Sequence, residues 1–141
     1  MTLQRMSELV RESLSLGRFP DYVLNVLGHE DISSVDRWIR GHFRYRPDGQ
    51  NEIVRTPDFM LNELQTTGYF QGDCDCVSVF YAAVLKSLGL RCRFAAIRYS
   101  DPSEMEHVFV EYFNGVQWLR VDPTVPVGTV HAELERMVQN V

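Results

Sequence analysis

The chain has 141 residues, 45% of them hydrophobic and 23% charged, which is the composition of an ordinary globular domain and excludes disordered, collagenous and membrane classes. Fourteen basic and nineteen acidic residues give a net charge of -5, and no run of Lys and Arg alternates with aromatics, so nucleic acid is not an expected partner. This length supports one core, and we predict a single domain over residues 1–141.

The N-terminal segment carries a charged residue every few positions. It therefore has neither the apolar stretch of a signal peptide nor a membrane span. Three cysteines, an odd number, argue against a disulfide framework and favour free thiols in a reducing compartment. We expect a soluble, cytoplasmic protein without membrane contact, one of whose thiols could be reactive.

The first half of the chain is predicted to be helical. Apolar residues at helical spacing, followed by Gly17, predict a helix from Leu3 to Leu16. Three more helices are predicted, over Asp21–Leu27, from Ser33 or Ser34 onward, and from an N-terminal Thr56-Pro57-Asp58 cap to Gly68.

The second half predicts a buried helix followed by a sheet. The segment Val77–Leu88 is apolar nearly all round, which indicates a buried central helix ended by Gly89. Strand-like runs follow at Arg91–Tyr99, His107–Phe113 and Gln117–Val121, and the C-terminal stretch from Val130 to Asn140 is predicted to be helical. Helices followed by an antiparallel sheet form the α+β class, with the helices packed on a small sheet.

The dipeptide Asn114-Gly115 predicts a hairpin that brings two polar residues together. If it forms a two-residue turn, Phe113 lies opposite Val116 and His107 lies opposite Asp122. Opposite Cβ atoms are about 4.5–5.5 Å apart, so the carboxylate could accept a hydrogen bond from the imidazole ring. This pairing depends on register, because a one-residue bulge would move His107 to the other face. The alternative is that His107 only begins an edge strand and Asp122 only begins a turn.

Cys74 is the candidate nucleophile. It lies where the buried helix is predicted to begin, and the helix dipole there lowers the pKa of a thiol and offers N–H groups to an oxyanion. The adjacent Asp73 and Asp75 oppose thiolate formation. Cys76 is a competitor, and helical phase does not choose between the two thiols. Cys92 lies among core residues and is interpreted as a small buried hydrophobe.

Four segments resemble the transglutaminase-like superfamily, particularly small bacterial and phage members with a Gly-Asp-Cys-Asp-Asp motif. They are Gly72-Asp73-Cys74-Asp75-Cys76, Ala82 to Arg93, His107 to Glu111, and Trp118 to Thr124. Trp38-Ile39-Arg40 and Val54-Arg55-Thr56-Pro57 are similar to upstream segments of the family, so the resemblance covers roughly residues 36–126.

The resemblance implies a papain-like α+β fold with a cysteine triad. It implies Cys74 as nucleophile and His107 and Asp122 as its partners, with no cofactor and no metal. Cys76 stands where relatives commonly have aspartate, which makes oxidation or a link between the two thiols conceivable. The oxyanion partner is not evident from the motifs, and Gln71 is the candidate.

These roles predict a cysteine-dependent acyl-transfer enzyme that cleaves amide bonds of a protein or peptide through a thioester. Hydrolysis is favoured over transfer to an amine, because so short a chain has little room for a second substrate subsite. One alternative is a catalytically idle interaction module with the same fold. Another is metal binding by Cys74, Cys76 and His107, although zinc sites favour ligand pairs separated by two to four residues.

Overall fold

The computed structural model describes residues 2–47, 55–98, 107–128 and 135–141. Within these ranges the helices are α1 (Leu3–Ser15), α2 (Arg18–Leu27), α3 (Ile32–His42), α4 (Pro57–Thr67) and α5 (Cys74–Ser87). The strands are β1 (Phe43–Tyr45), β2 (Phe70–Gly72), β3 (Cys92–Arg98), β4 (His107–Phe113), β5 (Trp118–Val121) and β6 (Glu135–Asn140). The fold class is α+β, as predicted. No helix in the described ranges is long and apolar enough to cross a membrane.

Side-chain caps set the helix ends. The Asp31 carboxylate accepts a hydrogen bond from the Ser34 N–H at 2.8 Å, so α3 begins at Ile32, slightly before the predicted serines. Thr56 caps α4 and Gly68 ends it with a φ of 89°, both as predicted from the sequence.

Two sheets are present among the described residues. Strands β1 and β2 form a parallel pair, and the other four form an antiparallel sheet in the order β5-β4-β3-β6. The sequence did not reveal β1 and β2, because three residues are too few to show the period-two alternation of a strand. Strand β2 leads almost directly into α5, so this short pair positions the start of the central helix.

The predicted C-terminal helix is wrong. The residues from Glu135 to Asn140 form β6, which pairs antiparallel with β3 so that Arg93 lies opposite Asn140. The open edge of β3 supplies a hydrogen-bonding partner for the whole segment, and this tertiary pairing overrides local helical preference. The remainder of that prediction, over residues 130–134, lies outside the described residues.

The register of the β4–β5 hairpin differs from the prediction by two residues. Phe113 pairs with Trp118 rather than with Val116, and Asn114 donates its N–H to the Gln117 carbonyl at 3.1 Å. The Asn114 side chain also accepts the Val116 N–H at 2.8 Å, which holds it at the base of the loop and leaves Gly115, with a φ of 98°, inside it. A shift of two residues keeps every side chain on its predicted face.

Helix α5 is the centre of the core. It is buried continuously from Cys76 to Leu85, as the apolar sequence predicted, and it packs against three helices and the inner face of the large sheet. The Phe80 ring stacks on Phe70 of β2 at a centroid distance of 4.0 Å and meets the edge of Phe19 of α2 at 5.3 Å. These ring contacts therefore join the middle of α5 to β2 and to α2.

Position 72, the last residue of β2, requires glycine because the Cys76 side chain lies very close to its backbone. A Cβ atom built on Gly72 would lie 2.3 Å from the Cβ of Cys76, a distance that forces backbone movement. The Gly-x-x-x-Cys spacing therefore records packing at the entry to α5, and Cys76 has a structural role there.

We expect Gly72→Ala to lower the free energy of unfolding by about 1–3 kcal/mol, because the added methyl overpacks the turn into α5. Gly41→Ala is the matched control, since a Cβ at this exposed position of α3 meets nothing within 4 Å and should raise stability by up to about 1 kcal/mol. Urea denaturation followed by circular dichroism measures both. Equal stability of the two variants would contradict the packing argument.

Candidate active site

His107 and Asp122 are in direct contact. The Nε2 atom of His107, the first residue of β4, lies 2.7 Å from Oδ2 of Asp122, which follows β5. The observed ladder places Asp122 beyond the Val110–Val121 pair, diagonal to His107 rather than directly opposite. Both side chains remain on one face because the register shift is an even number of residues. The predicted contact is present, although the predicted register was not.

The Asp122 carboxylate is buried and saturated with hydrogen bonds. It is 3% exposed; Oδ2 also accepts from Arg120 Nη2 at 2.7 Å, and Oδ1 accepts from the Thr124 N–H at 3.1 Å and the Thr124 hydroxyl at 2.7 Å. Burial acts to raise the pKa of Asp122, but the hydrogen bonds from His107, Arg120 and Thr124 hold that pKa well below its usual range. The carboxylate is therefore ionised at neutral pH.

Sequence reasoning missed Arg120 and Thr124, although a local signal for each exists. Arg120 lies two residues before Asp122, so their side chains share a face. Thr124 lies two residues after Asp122, the spacing at which an aspartate accepts a backbone N–H in a turn.

Replacing Asp122 should reduce the loss of folding stability that occurs as the pH falls into the acid range. The low folded-state pKa means that the carboxylate stabilises the fold above the unfolded value of about 3.9, and this contribution is lost as pH falls below it. We expect Asp122→Asn to lower the free energy of unfolding by on the order of 3 kcal/mol at pH 7, and by less at pH 3.

Urea denaturation at both pH values measures the difference, and Asp21→Asn, at an exposed position of α2, is the control. A loss in the Asp122 variant that is the same at pH 7 and pH 3 would contradict the assigned ionisation.

Burial distinguishes the three cysteines, which helical phase could not. Cys76 is 0% exposed and packs against Gly72, and Cys92 is 2% exposed with its thiol 3.9 Å from the Ala82 carbonyl. Cys74, at the first position of α5, is only partly buried, and none of the three cysteines, all of which the structure describes, forms a disulfide. Cys74 is therefore the most exposed of the three thiols, and Cys92 is the buried residue that was predicted.

The thiol of Cys74 is not acidified in the free protein. Burial raises the pKa of Cys74 to about 12; a hydrogen bond from the Val108 backbone acts against this, while the carboxylates of Asp75 and Asp73 add to it. The Cys74 Sγ atom lies 3.7 Å from Asp75 Oδ1. Burial and the carboxylates of Asp75 and Asp73 therefore oppose the lowering of the thiol pKa that a helix N-terminus favours.

The start of α5 lies against the start of β4. The Val108 backbone that reaches the Cys74 thiol belongs to the residue after His107. One turn further along α5, the Ser78 hydroxyl donates to the Val108 carbonyl at 3.4 Å. Since Asp122 occupies Nε2 of His107, Nδ1 is the ring nitrogen left to exchange a proton with a reacting group.

Gln71 lies in the middle of β2, just before the turn into α5. Its N–H donates to Glu63 Oε1 at 2.8 Å, and its carbonyl accepts from Arg55 Nη1 at 3.0 Å. An ion pair of 3.3 Å joins Arg55 to Glu63, so the backbone of β2 is held from both sides. The oxyanion role of the Gln71 side chain stays a prediction.

Among the described residues, which include Cys74, Cys76 and His107, no group of three or more His, Cys, Asp or Glu side chains is placed to hold a metal ion. The structure thus offers no support for the metal-binding alternative.

The alkylation of Cys74 should report its environment. With a pKa of about 12, the rate with iodoacetamide should rise with pH through pH 10 without a plateau. Asp75→Asn removes a carboxylate that raises this pKa, so it should speed alkylation at pH 8 several-fold, whereas Asp21→Asn should not. Peptide mass spectrometry resolves the modified residue. A plateau near neutral pH would indicate an acidified thiol instead.

Comparison with known proteins identifies a family and two similar folds. The model of the transglutaminase-like superfamily matches residues 24–123. A candidate cysteine protease from Cytophaga hutchinsonii aligns with a TM-score of 0.63 at 13% identity, over 89% of this chain and 50% of that one. Calcium-bound LapG of Legionella pneumophila aligns with a TM-score of 0.52 at 12% identity, over 87% and 73% of the two chains.

At such identities the two structures show the fold alone. The chain spans half the length of the Cytophaga protein. No curated protein sequence matches this chain significantly.

Proposed function

The chain belongs to the transglutaminase-like superfamily, and from this premise we propose that it is a cysteine-dependent enzyme that cleaves amide bonds through a thioester. The observation that carries the proposal is the 2.7 Å hydrogen bond between His107 and a buried, ionised Asp122, beside the helix start that bears the accessible thiol. Cys74 is the nucleophile, His107 the base and Asp122 the group that orients it.

The first step acylates Cys74. As the sulfur attacks the amide carbonyl carbon, His107 takes the thiol proton at Nδ1, and the carbonyl oxygen becomes an oxyanion. Cys74 occupies the first position of α5, where a backbone N–H has no intrahelical acceptor and is available to that oxyanion. The tetrahedral intermediate then collapses, the C–N bond breaks, and His107 returns the proton to the departing amine, which leaves a thioester.

The second step releases the acyl group. His107 removes a proton from water as the oxygen attacks the thioester, and the thiolate leaves and regains the proton. The products are a carboxylic acid and free Cys74. An amine in place of water would give a new amide, and hydrolysis is the reaction that we favour.

The charges around the site suit proton transfer during attack rather than a preformed ion pair. The pKa of Cys74 near 12 keeps the thiol protonated at rest, so His107 must accept the proton as the new bond forms. Asp122, whose low pKa keeps it negative, then stabilises the imidazolium through Nε2. Arg120 donates to the same carboxylate oxygen as His107. Its positive charge partly neutralises Asp122 and so weakens the stabilisation of the His107 imidazolium.

The proposed substrates are protein or peptide amides, and the proposed enzyme acts on them in the cytoplasm. The substrate class determines which assays test the proposal. Release of aminomethylcoumarin from a panel of peptidyl amides measures hydrolysis, and incorporation of monodansylcadaverine into casein measures transfer to an amine. We expect Cys74→Ala to lower hydrolysis at least 10³-fold, because no other accessible thiol replaces the nucleophile. Cys76→Ala, at a buried position that packs under Gly72, is the matched control and should retain activity within a few-fold.

Mass spectrometry of the native protein mixed with substrate should detect an acyl group on the peptide that contains Cys74. Native protein with no more activity than Cys74→Ala on every substrate would exclude the enzyme, and the idle interaction module would take its place.

A further inference from the structure

The three proposed catalytic residues lie on three separate elements. Cys74 begins α5, His107 begins β4, and Asp122 follows β5. Catalysis by such a group requires reacting atoms held within a fraction of an ångström, and a misplacement of 1 Å can cost about 100-fold in rate. The contacts that tie the three elements to one another therefore bear on the chemistry.

Arg40 of α3 ties the Asp122 turn to the helices. Its Nη2 donates to the Asp122 carbonyl at 2.9 Å and its Nη1 donates to the Val125 carbonyl at 2.6 Å. Its Nε donates to Oδ2 of Asp36, one turn earlier on α3, at 2.7 Å. One planar guanidinium thus holds two carbonyls of the turn and a carboxylate of the helix at once.

Tyr81 extends this arrangement to α5. Its buried hydroxyl donates to the other oxygen of Asp36, Oδ1, at 2.7 Å. Burial and Asp36 raise the pKa of Tyr81, so the hydroxyl keeps the proton it donates. Tyr81 lies seven residues after Cys74, which is two helical turns and therefore the same face of α5.

We propose that Arg40 is a positioning residue for the proposed reaction, holding the Asp122 turn, and through Asp122 the His107 ring, in register with the face of α5 that carries Cys74. This inference rests on the proposed function only in so far as it expects Arg40 to affect the rate of amide hydrolysis. The chain of contacts runs from Tyr81 through Asp36 and Arg40 to the Asp122 backbone. Ser78, on the same face of α5, makes the corresponding contact to β4 through Val108.

The shape of arginine is essential to this role. Lysine keeps the positive charge but presents a single ammonium on a flexible stem, so it cannot hold both carbonyls and the Asp36 carboxylate in one plane. Arg40→Lys therefore tests geometry while it preserves charge. Arg37→Lys is the matched control, since Arg37 is an exposed residue of the same helix. Arg37 and Arg40 both line a cavity of about 620 Å³.

The experiment combines kinetics with a readout that needs no activity. For Arg40→Lys we expect kcat to fall about 10- to 100-fold, with KM changed by less than about two-fold, because positioning acts on the reacting groups rather than on substrate binding. The ¹H resonance of the His107 Nε2 proton, held by Asp122, should shift or broaden in the same variant. Arg37→Lys should change neither quantity.

The outcomes separate this inference from the proposed function. Native kcat in Arg40→Lys, or a lower kcat with an unchanged His107 resonance, would overturn the positioning role. A protein without amide hydrolysis whose His107 resonance still responds to Arg40→Lys and not to Arg37→Lys would retain the positioning role and lose the proposed reaction.

Tyr81→Phe provides a second test if Arg40→Lys does not fold. It removes only the hydroxyl that supports Asp36 and keeps the aromatic ring in the core. We expect a several-fold fall in kcat with a smaller change of the His107 resonance in the same direction. A folded Tyr81→Phe protein with native values of both would refute the chain of contacts.

Discussion

The burial of α5 is the constraint on which the rest of the structure depends. Ten consecutive residues of this helix, from Cys76 to Leu85, are buried, so other elements must surround it and cover its apolar surface. The sheet covers one side, α1, α2 and α4 cover others, and β2 delivers the chain to the first turn through Gly72. The start of the helix is consequently held between β2 and the beginning of β4, and Cys74 lies there.

The same burial has an electrostatic consequence for the thiol. A helix terminus by itself favours a thiolate, but desolvation disfavours any buried charge, and here it dominates and raises the pKa of Cys74 to about 12. Asp73, beside the thiol, caps the helix by accepting a hydrogen bond from the Cys76 N–H at 3.1 Å. The buried Asp122 carboxylate stays ionised, because several hydrogen bonds compensate for its burial. The proposed site therefore combines an ionised carboxylate at Asp122 with a neutral thiol at Cys74.

Buried carboxylates of the sheet are consistently paired with arginine. Glu111 of β4 is bound by Arg93 at 2.9 Å and by Arg136 at 2.7 Å, just as Asp122 is bound by Arg120. The Arg120 guanidinium also lies 3.9 Å above the Phe109 ring, where the face of the aromatic ring favours a cation. Removing one member of such a pair leaves an uncompensated charge in the interior. These pairs therefore maintain the strand positions that bring His107 to Asp122.

Local sequence patterns determined most of the helices and strands, and they also determined the contact between His107 and Asp122. The helix caps at Thr56 and Gly68 depend on residues only a few positions away. The alternation of side chains along the hairpin places His107 and Asp122 on one face, even though the strand register differs from the predicted one by two residues. The contact between His107 and Asp122 was predicted correctly despite the wrong register, because side chains return to the same face of a strand every two residues.

Only the tertiary structure decided the rest. The C-terminal segment became a strand because β3 offered an open edge, and Cys74 differs from Cys76 because Cys76 is enclosed beneath Gly72. The pKa of Cys74 and the contacts of Arg40 depend on groups distant in sequence. Burial, dielectric environment and long-range hydrogen bonds arise when distant segments pack together, so no local pattern in the sequence contains them.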